Sequence, residues 1–95
     1  YCGDTALDNA ACYLAGLLAR AMWTWRYVPS DHAVDRQLLE SPWSVIVLSD
    51  YPASRLSPED QELIVNRVRG GAGLLMIGGW ESFHGLGGDW NGTPV

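Results

Sequence analysis

The sequence predicts an α/β protein in which a parallel sheet lies between two layers of helices. Residues 45–48 (VIVL) and 74–77 (LLMI) are apolar runs without alternation, which are typical of strands covered on both faces. A helical pattern with its own start and stop signals separates the two runs. Alternation of strands and helices favours right-handed crossovers and a three-layer α/β/α arrangement, with the two runs adjacent at the centre of the sheet.

The first part of the chain predicts the end of a strand followed by a long helix. Residues 2–4 have the character of the last residues of a strand. Over residues 8–22, Ala and Leu recur at three- and four-residue spacing, which gives one apolar helical face. Asp4 or Asp8 is the expected cap, and Gly16 inside the helix indicates close packing on the sheet.

The next segment predicts a strand and a short helix. Residues 23–28 are rich in aromatic and other side chains that favour strands, so they are predicted to form a strand that ends at Pro29. Ser30 or Asp31 then provides the cap for a short helix over residues 33–39.

The clearest helix signal begins at Ser57. Ser57 is a good capping residue, Pro58 occupies the first helical position, and acids follow near the positive end of the helix dipole. The helical pattern continues to residue 69. Gly70 and Gly71 then end the helix, one of them in a left-handed conformation.

The composition fits one folded domain over residues 1–95. Hydrophobic residues make up 47% of the chain and charged residues 18%, unlike a disordered segment. The net charge is −5, and the six basic residues, all Arg, are scattered, which does not favour a nucleic-acid or membrane partner. No apolar run approaches the roughly 20 residues of a membrane span. Because the first strand is only a stub, we expect the domain to be partial.

The two cysteines do not make a disulfide framework. Cys12 lies in the Ala/Leu-rich helical pattern and is expected as a reduced core thiol, while Cys2 lies in the strand stub. Reduced thiols favour a cytoplasmic protein.

Polar side chains follow the predicted strands. The four strand ends are residues 3–4, 29–31, 49–51 and 78–84. Ligands of open α/β sheets bind outside the carboxyl ends of the strands, so polar side chains at these ends are expected on one rim. They are Asp4, Asp50, Glu81 and His84, of which Asp50, Glu81 and His84 are the candidate catalytic groups. The alternative interpretation is that the acids only cap the helices that follow.

The loop after residues 74–77 supplies most of the predicted site. Trp80 is a candidate aromatic wall for a sugar or another polar–apolar ligand, and Trp90 either acts similarly or packs down to fasten the loop. The predicted ligand-binding residues are Asp4, Asp50, Gly78, Gly79, Trp80, Glu81 and Ser82.

Neither glycine cluster has the form of a phosphate loop, and no cofactor or metal is expected. Residues 70–73 follow a helix and precede a strand, the reverse of what a phosphate cradle needs. Residues 85–88 lack both G-x-G-x-x-G and a P-loop Lys. The two histidines do not have metal-ligand spacing. A site for Mg²⁺ or Ca²⁺ made by acidic oxygens at the rim is the weaker alternative.

Two stretches carry a resemblance to a known family. "VIVLSDYPA", then the capped helix, then "RGGAGLLMIGGWESFHGLGGDWNGTPV" resembles the glutamine amidotransferase-like family, whose members are similar in fold to class I glutamine amidotransferases and to ThuA-like proteins. The resemblance is most specific in residues 71–95 and implies a flavodoxin-like sheet. The family's domain is longer, so the chain resembles its N-terminal portion.

The resemblance also bears on catalysis. In class I amidotransferases a Cys ends the equivalent strand, and the resemblance puts Gly78 at that place. The implied function is a noncatalytic domain that binds a small polar ligand or a partner at the carboxyl edge of the sheet. One alternative is a hydrolase or sugar-processing enzyme that uses Asp50, Glu81 and His84 as acid–base groups. Another is a structural half-domain that assembles with the remainder of a longer chain or as a homo-oligomer.

Overall fold

The computed structural model describes residues 1–80, 82–84 and 89–95, and the α/β class is confirmed. Among these residues, three parallel strands form one sheet in the order β1-β2-β3. The strands are β1 (Cys2–Gly3), β2 (Val45–Ser49) and β3 (Gly73–Ile77). Glu81 and the glycine cluster at residues 85–88 lie outside the described residues.

The two apolar runs are adjacent parallel strands, as predicted. Ile46 pairs with Leu74, and Leu48 pairs with Met76. On the other side of β2, Cys2 pairs with Leu48. β2 is therefore central, whereas β3 is at the edge of the described sheet rather than at its centre.

The helices of the described chain are α1 (Cys12–Arg20), α2 (Arg36–Glu40) and α3 (Pro58–Arg69), with a 3₁₀ turn at Ala53–Arg55. α3 begins as predicted, because Ser57 Oγ accepts a hydrogen bond from Asp60 N–H at 3.1 Å. Gly71 follows the helix with a φ of +106°, so the predicted left-handed glycine is confirmed.

α1 is shorter than predicted and has no side-chain cap. Ala11 occupies the N-cap position in a helical conformation, so neither Asp4 nor Asp8 caps this helix. Gly16 is exposed, and a Cβ there would meet nothing within 4 Å, so the predicted close packing of Gly16 on the sheet is wrong.

Residues 23–28 do not form the predicted strand. Of these residues, Val28 alone pairs with the sheet, through one parallel bridge to Cys2. The physical reason is the length of β1, which is only two residues long and offers no further edge for a neighbouring strand.

The cap of α2 also differs from the prediction. Asp35 accepts a hydrogen bond from Gln37 N–H at 2.9 Å and caps the helix. Ser30 and Asp31 lie too early in the chain to do so, and Asp31 instead contacts His32.

One face of the sheet carries the hydrophobic core. The inward side chains of β2 and β3 pack with buried residues of α2 and α3, among them Leu39 and Ile64. Cys2 belongs to this core and burial raises the pKa of its thiol, whereas Cys12, the predicted core thiol, is only half-buried. Both thiols are free.

The opposite face is only partly covered, so the expectation that both runs are buried on both faces is wrong for β3 and also for Val45 of β2, which is 38% exposed. Leu75 and Ile77 are 47% and 39% exposed, while Val47 of the central strand is buried. α2 and α3 direct their buried residues to the core face, and β3 at the edge has little other cover. In the described part of the chain, no helix combines the length and apolar character needed to cross a bilayer.

Candidate functional site

Two aspartates follow β1 and β2 in left-handed backbone conformations. Asp4 has a φ of 52° and Asp50 a φ of 47°. Such a conformation costs a residue with a side chain about 1–2 kcal/mol, and Asp and Asn are the side chains that adopt it most readily. Backbone strain of this kind often accumulates at binding sites. The two strained residues end neighbouring strands, so they lie at the same edge of the sheet.

Both aspartates open onto one crevice of about 530 Å³. Trp80, whose side chain is largely exposed, forms one of its walls. The crevice is lined by Asp4, Thr5, Ala10, Ser30, Asp31, Asp50, Pro52, Ser54, Arg55 and Trp80. Its lining thus combines polar side chains, among them three carboxylates, with an aromatic surface at one side.

Asp4 is fixed by hydrogen bonds through both its side chain and its backbone. Tyr1 Oη donates to Asp4 Oδ2 at 2.5 Å, and Ser49 Oγ lies 3.4 Å from the same oxygen. The Asp4 carbonyl accepts from Tyr27 Oη at 2.8 Å and from Ser30 N–H at 3.0 Å. The carboxylate therefore has a defined position before any ligand arrives.

Asp50 is fixed by the loop that follows β3. Ser82 Oγ donates to Asp50 Oδ1 at 3.1 Å and accepts from Gly79 N–H at 2.9 Å. A Cβ on Gly79 would lie 2.3 Å from Asp50 Cγ. Glycine is thus required where the loop passes the carboxylate, which explains a Gly at this position.

The Phe83 ring crowds Gly78, the position at which the resemblance implies a nucleophilic Cys. A Cβ on Gly78 would lie 2.9 Å from the Phe83 ring. Ser82, the nearest hydroxyl in the loop, is only 3% exposed and bonds to Asp50. Its hydroxyl holds the loop rather than facing solvent.

The charges around the crevice are mainly negative. His32 Nδ1 lies 2.6 Å from Asp31 Oδ1, and this hydrogen bond, with a smaller contribution from Arg55, holds the pKa of Asp31 below its usual range. Three carboxylates, those of Asp4, Asp31 and Asp50, face one guanidinium, that of Arg55. This balance favours neutral or cationic ligands over phosphorylated ones.

The structure brings together only some of the predicted site residues. Asp4, Asp50 and Trp80 line the crevice, and Gly79 and Ser82 support Asp50 from behind. His84 is exposed and is not among the described residues that line the crevice, while Glu81 lies outside the described residues. Trp90 is buried, as one of its two interpretations predicted.

Sequence reasoning missed Asp31 and Arg55 as crevice residues. Asp31 follows a predicted strand end, so the rule that selected Asp4 applied to it equally well. Arg55 lies on the 3₁₀ turn after β2, and no local pattern marks its position. Across the described chain, no group of three His, Cys, Asp or Glu side chains is arranged to hold a metal ion.

Comparison with known proteins adds no family to this description. No family model matches the chain, and no curated protein matches it either. The fold and crevice define the class, an α/β protein with a parallel sheet and an acidic crevice at its carboxyl edge. The amidotransferase-like resemblance stays a prediction from the sequence.

Tyr51 connects two segments that line the crevice, because it directly follows Asp50 and bonds to the residue after Asp31. Its side chain is 1% exposed, and its Oη donates to the His32 carbonyl at 2.6 Å. Burial raises the pKa of Tyr51 above its ordinary value near 10. The folded state therefore holds this proton more tightly than the unfolded state. The resulting stability is complete below about pH 10 and is lost as the pH rises toward the folded pKa.

We expect the free energy of unfolding in urea to be lower at about pH 11 than at about pH 8. Tyr51→Phe should lower stability at about pH 8, because the His32 carbonyl loses its donor, and should reduce the alkaline loss. Tyr13→Phe is the matched control, since Tyr13 is 85% exposed. An alkaline loss in Tyr51→Phe as large as in the parent protein would contradict this prediction.

Proposed function

We propose that the chain is an amidotransferase-like α/β domain without glutaminase chemistry that binds a small, neutral, hydroxyl-rich ligand at the crevice. The observation that supports this most is the shared crevice of Asp4 and Asp50, each held in a strained conformation at the end of its strand. Strained, hydrogen-bonded carboxylates beside an exposed tryptophan are a costly arrangement for stability alone.

The ligand class follows from the groups that line the crevice. Carboxylates accept hydrogen bonds from hydroxyl groups, and the Arg55 guanidinium donates to ring or carbonyl oxygens. Trp80 offers an apolar face, as sugar-binding proteins use for the C–H side of a pyranose. The excess of carboxylates works against phosphate and carboxylate groups. Neutral sugars satisfy all of these conditions.

A binding role is better supported than acid–base hydrolysis. The hydrolase alternative uses Asp50 with Glu81 and His84, and His84 lies apart from the described crevice lining. Asp4 and Asp50 are both engaged by hydroxyl donors, which suits fixed acceptors better than proton carriers. The half-domain alternative depends on a different part of the molecule, at the opposite end of β1.

The experiment is a titration of the ¹⁵N-labelled chain with neutral hexoses and disaccharides. The indole N–H signal of Trp80, assigned through Trp80→Ala, is the probe. Asp50→Asn keeps an oxygen for the Ser82 hydroxyl and tolerates the left-handed backbone, so it should leave thermal stability nearly unchanged. Loss of a charged acceptor should weaken binding at least about tenfold.

Asp8→Asn is the matched control, because Asp8 is exposed and is not part of the crevice lining. It should bind like the parent protein. The proposal fails if no sugar of the panel shifts the Trp80 signal. It also fails if Asp50→Asn lowers the melting temperature strongly while leaving binding intact, since Asp50 would then be structural.

We also expect that the protein does not release ammonia from glutamine. Gly78 occupies the place of the nucleophile that the resemblance implies, and it has no side chain that could attack a substrate. An ammonia-release assay on pure protein tests this. Glutamine-dependent turnover that survives Cys2→Ala and Cys12→Ala together would refute the assignment. Turnover abolished by these substitutions would instead identify one of the two thiols as the nucleophile.

A further inference from the structure

A second cavity lies at the opposite end of β1, away from the crevice. It has a volume of about 660 Å³ and a mainly apolar lining. Trp23 and Trp25 contribute on one side, and Val45 to Val47 of β2 on the other. Leu18 of α1 and Leu39 of α2 also line it. We refer to this cavity as the strand groove.

β1 shows what kind of element fits between these walls. Cys2 pairs with Leu48 of β2 on one side and with Val28 on the other. Gly3 N–H donates to the Val28 carbonyl at 2.9 Å, and Asp4 N–H donates to the Ser49 carbonyl at 3.2 Å. β1 thus lies between β2 and the segment that ends at Val28.

β2 continues past the end of β1 without a partner on that side. Residues 45–47 pair with β3, but no described strand pairs with their other edge. The Ser49 carbonyl faces β1. Along a strand, the N–H and carbonyl of one residue point to the same side, and those of the next residue point to the other side. The backbone groups of Val45 and the N–H of Val47 therefore point into the strand groove. Three residues of β2 correspond to about 10 Å of free edge.

The Tyr1 amine lies where β1 meets the groove. It donates to the Arg26 carbonyl at 2.8 Å, and burial lowers its pKa. Tyr1 and Cys2 also line the groove, so the groove continues the line of the β1 backbone.

We propose that the strand groove binds an apolar β-strand that lies in line with β1, runs parallel to β2 and ends at Tyr1. Such a strand supplies hydrogen-bond partners to Val45 and Val47, which a small apolar molecule cannot do. Its alternate side chains point to opposite faces, and the groove offers them apolar side chains such as Leu18 and Leu39. Val and Ile suit these positions because both faces are apolar.

The test adds a short extension of Val and Ile residues directly before Tyr1 in the whole chain. We expect the melting temperature to rise by at least about 5 °C relative to an extension of Ser and Gly. Amide exchange of Val45 and Val47 should slow at least about tenfold, while Ile46 and Leu48, which face β3, serve as internal controls.

A third extension, alternating Val with Pro, separates strand pairing from simple apolar cover, because Pro has no N–H to offer the Val45 carbonyl and its φ, fixed at about −65°, departs from regular strand geometry. It should give little of the protection at Val45 and Val47. Equal stabilisation and protection by the Val–Pro and Val–Ile extensions would show that the groove takes any apolar occupant and would overturn the proposal. It would also be overturned if the Ser–Gly protein formed a dimer in sedimentation that already protected both amides, since the groove would then hold a second copy.

Discussion

Gly3→Ala should destabilise the protein by about 3–5 kcal/mol, a large part of the roughly 5–15 kcal/mol that holds a domain folded. A Cβ on Gly3 would lie 1.8 Å from the Ser49 carbonyl oxygen, which is backbone and cannot rotate away. Gly3 also has a φ of +147°, a conformation that residues with a side chain adopt only at a cost of about 1–3 kcal/mol. Relief of the clash requires β1 to separate from β2.

The expected loss is measured by urea denaturation of both proteins. Gly92→Ala is the matched control, because Gly92 has a φ of +81° but nothing within 4 Å of its added Cβ. This control should lose only about 1 kcal/mol, the cost of the backbone conformation alone. Equal losses at the two positions would mean that the contact with Ser49 contributes nothing and that β1 is free to move.

The consequence extends beyond stability, because β1 carries Asp4 into the crevice. Asp4 directly follows Gly3, and its N–H bonds to the Ser49 carbonyl. Separation of the two strands would therefore move one of the two strained carboxylates away from the other. A Gly at the position before Asp4 is a condition for the crevice as well as for the sheet.

Local signals in the sequence predicted α3 well. Ser57 and Pro58 fix its start and Gly71 its end, and each acts through neighbours a few residues away. The pairing of residues 45–48 with residues 74–77 was predictable for a related reason, since both runs are strongly apolar and one crossover helix joins them.

The cover of β3 could not be predicted in the same way. An apolar run has the same appearance whether one or both faces are buried, and the position of the helices decides between these cases. The absence of a strand at residues 23–28 could not be predicted either. These residues have β-forming side chains, but β1 is only two residues long, and Val28 alone of this segment forms a bridge to it.

The candidate site was predictable where it depends on the strand order. Asp4 and Asp50 were expected together because parallel strands bring their carboxyl ends to one edge. Arg55 was not predicted, because its approach to the crevice depends on how a 3₁₀ turn packs. The strand ends thus predicted which two aspartates share the crevice, whereas the contribution of the surrounding loops needed the structure.

The two tryptophans that bracket the last loop should differ sharply in their effect on stability. Trp90 is 5% exposed and packs in the core, and its Nε1–H donates to the Tyr51 carbonyl at 2.7 Å. Removal of a buried indole typically costs about 3–5 kcal/mol. Trp80 is 81% exposed, so Trp80→Ala should change the free energy of unfolding by no more than about 0.5 kcal/mol.

Trp90→Phe separates packing from hydrogen bonding. It keeps an aromatic ring in the core but leaves the Tyr51 carbonyl without its donor, so an intermediate loss of about 1–3 kcal/mol is expected. Urea denaturation of the three variants at one pH gives the comparison. Tyr51 follows Asp50 in the chain, so Trp90 fastens the chain directly beside the crevice. If Trp80→Ala proved as damaging as Trp90→Ala, Trp80 would be a packing residue, and the crevice would lose its aromatic wall as a binding surface.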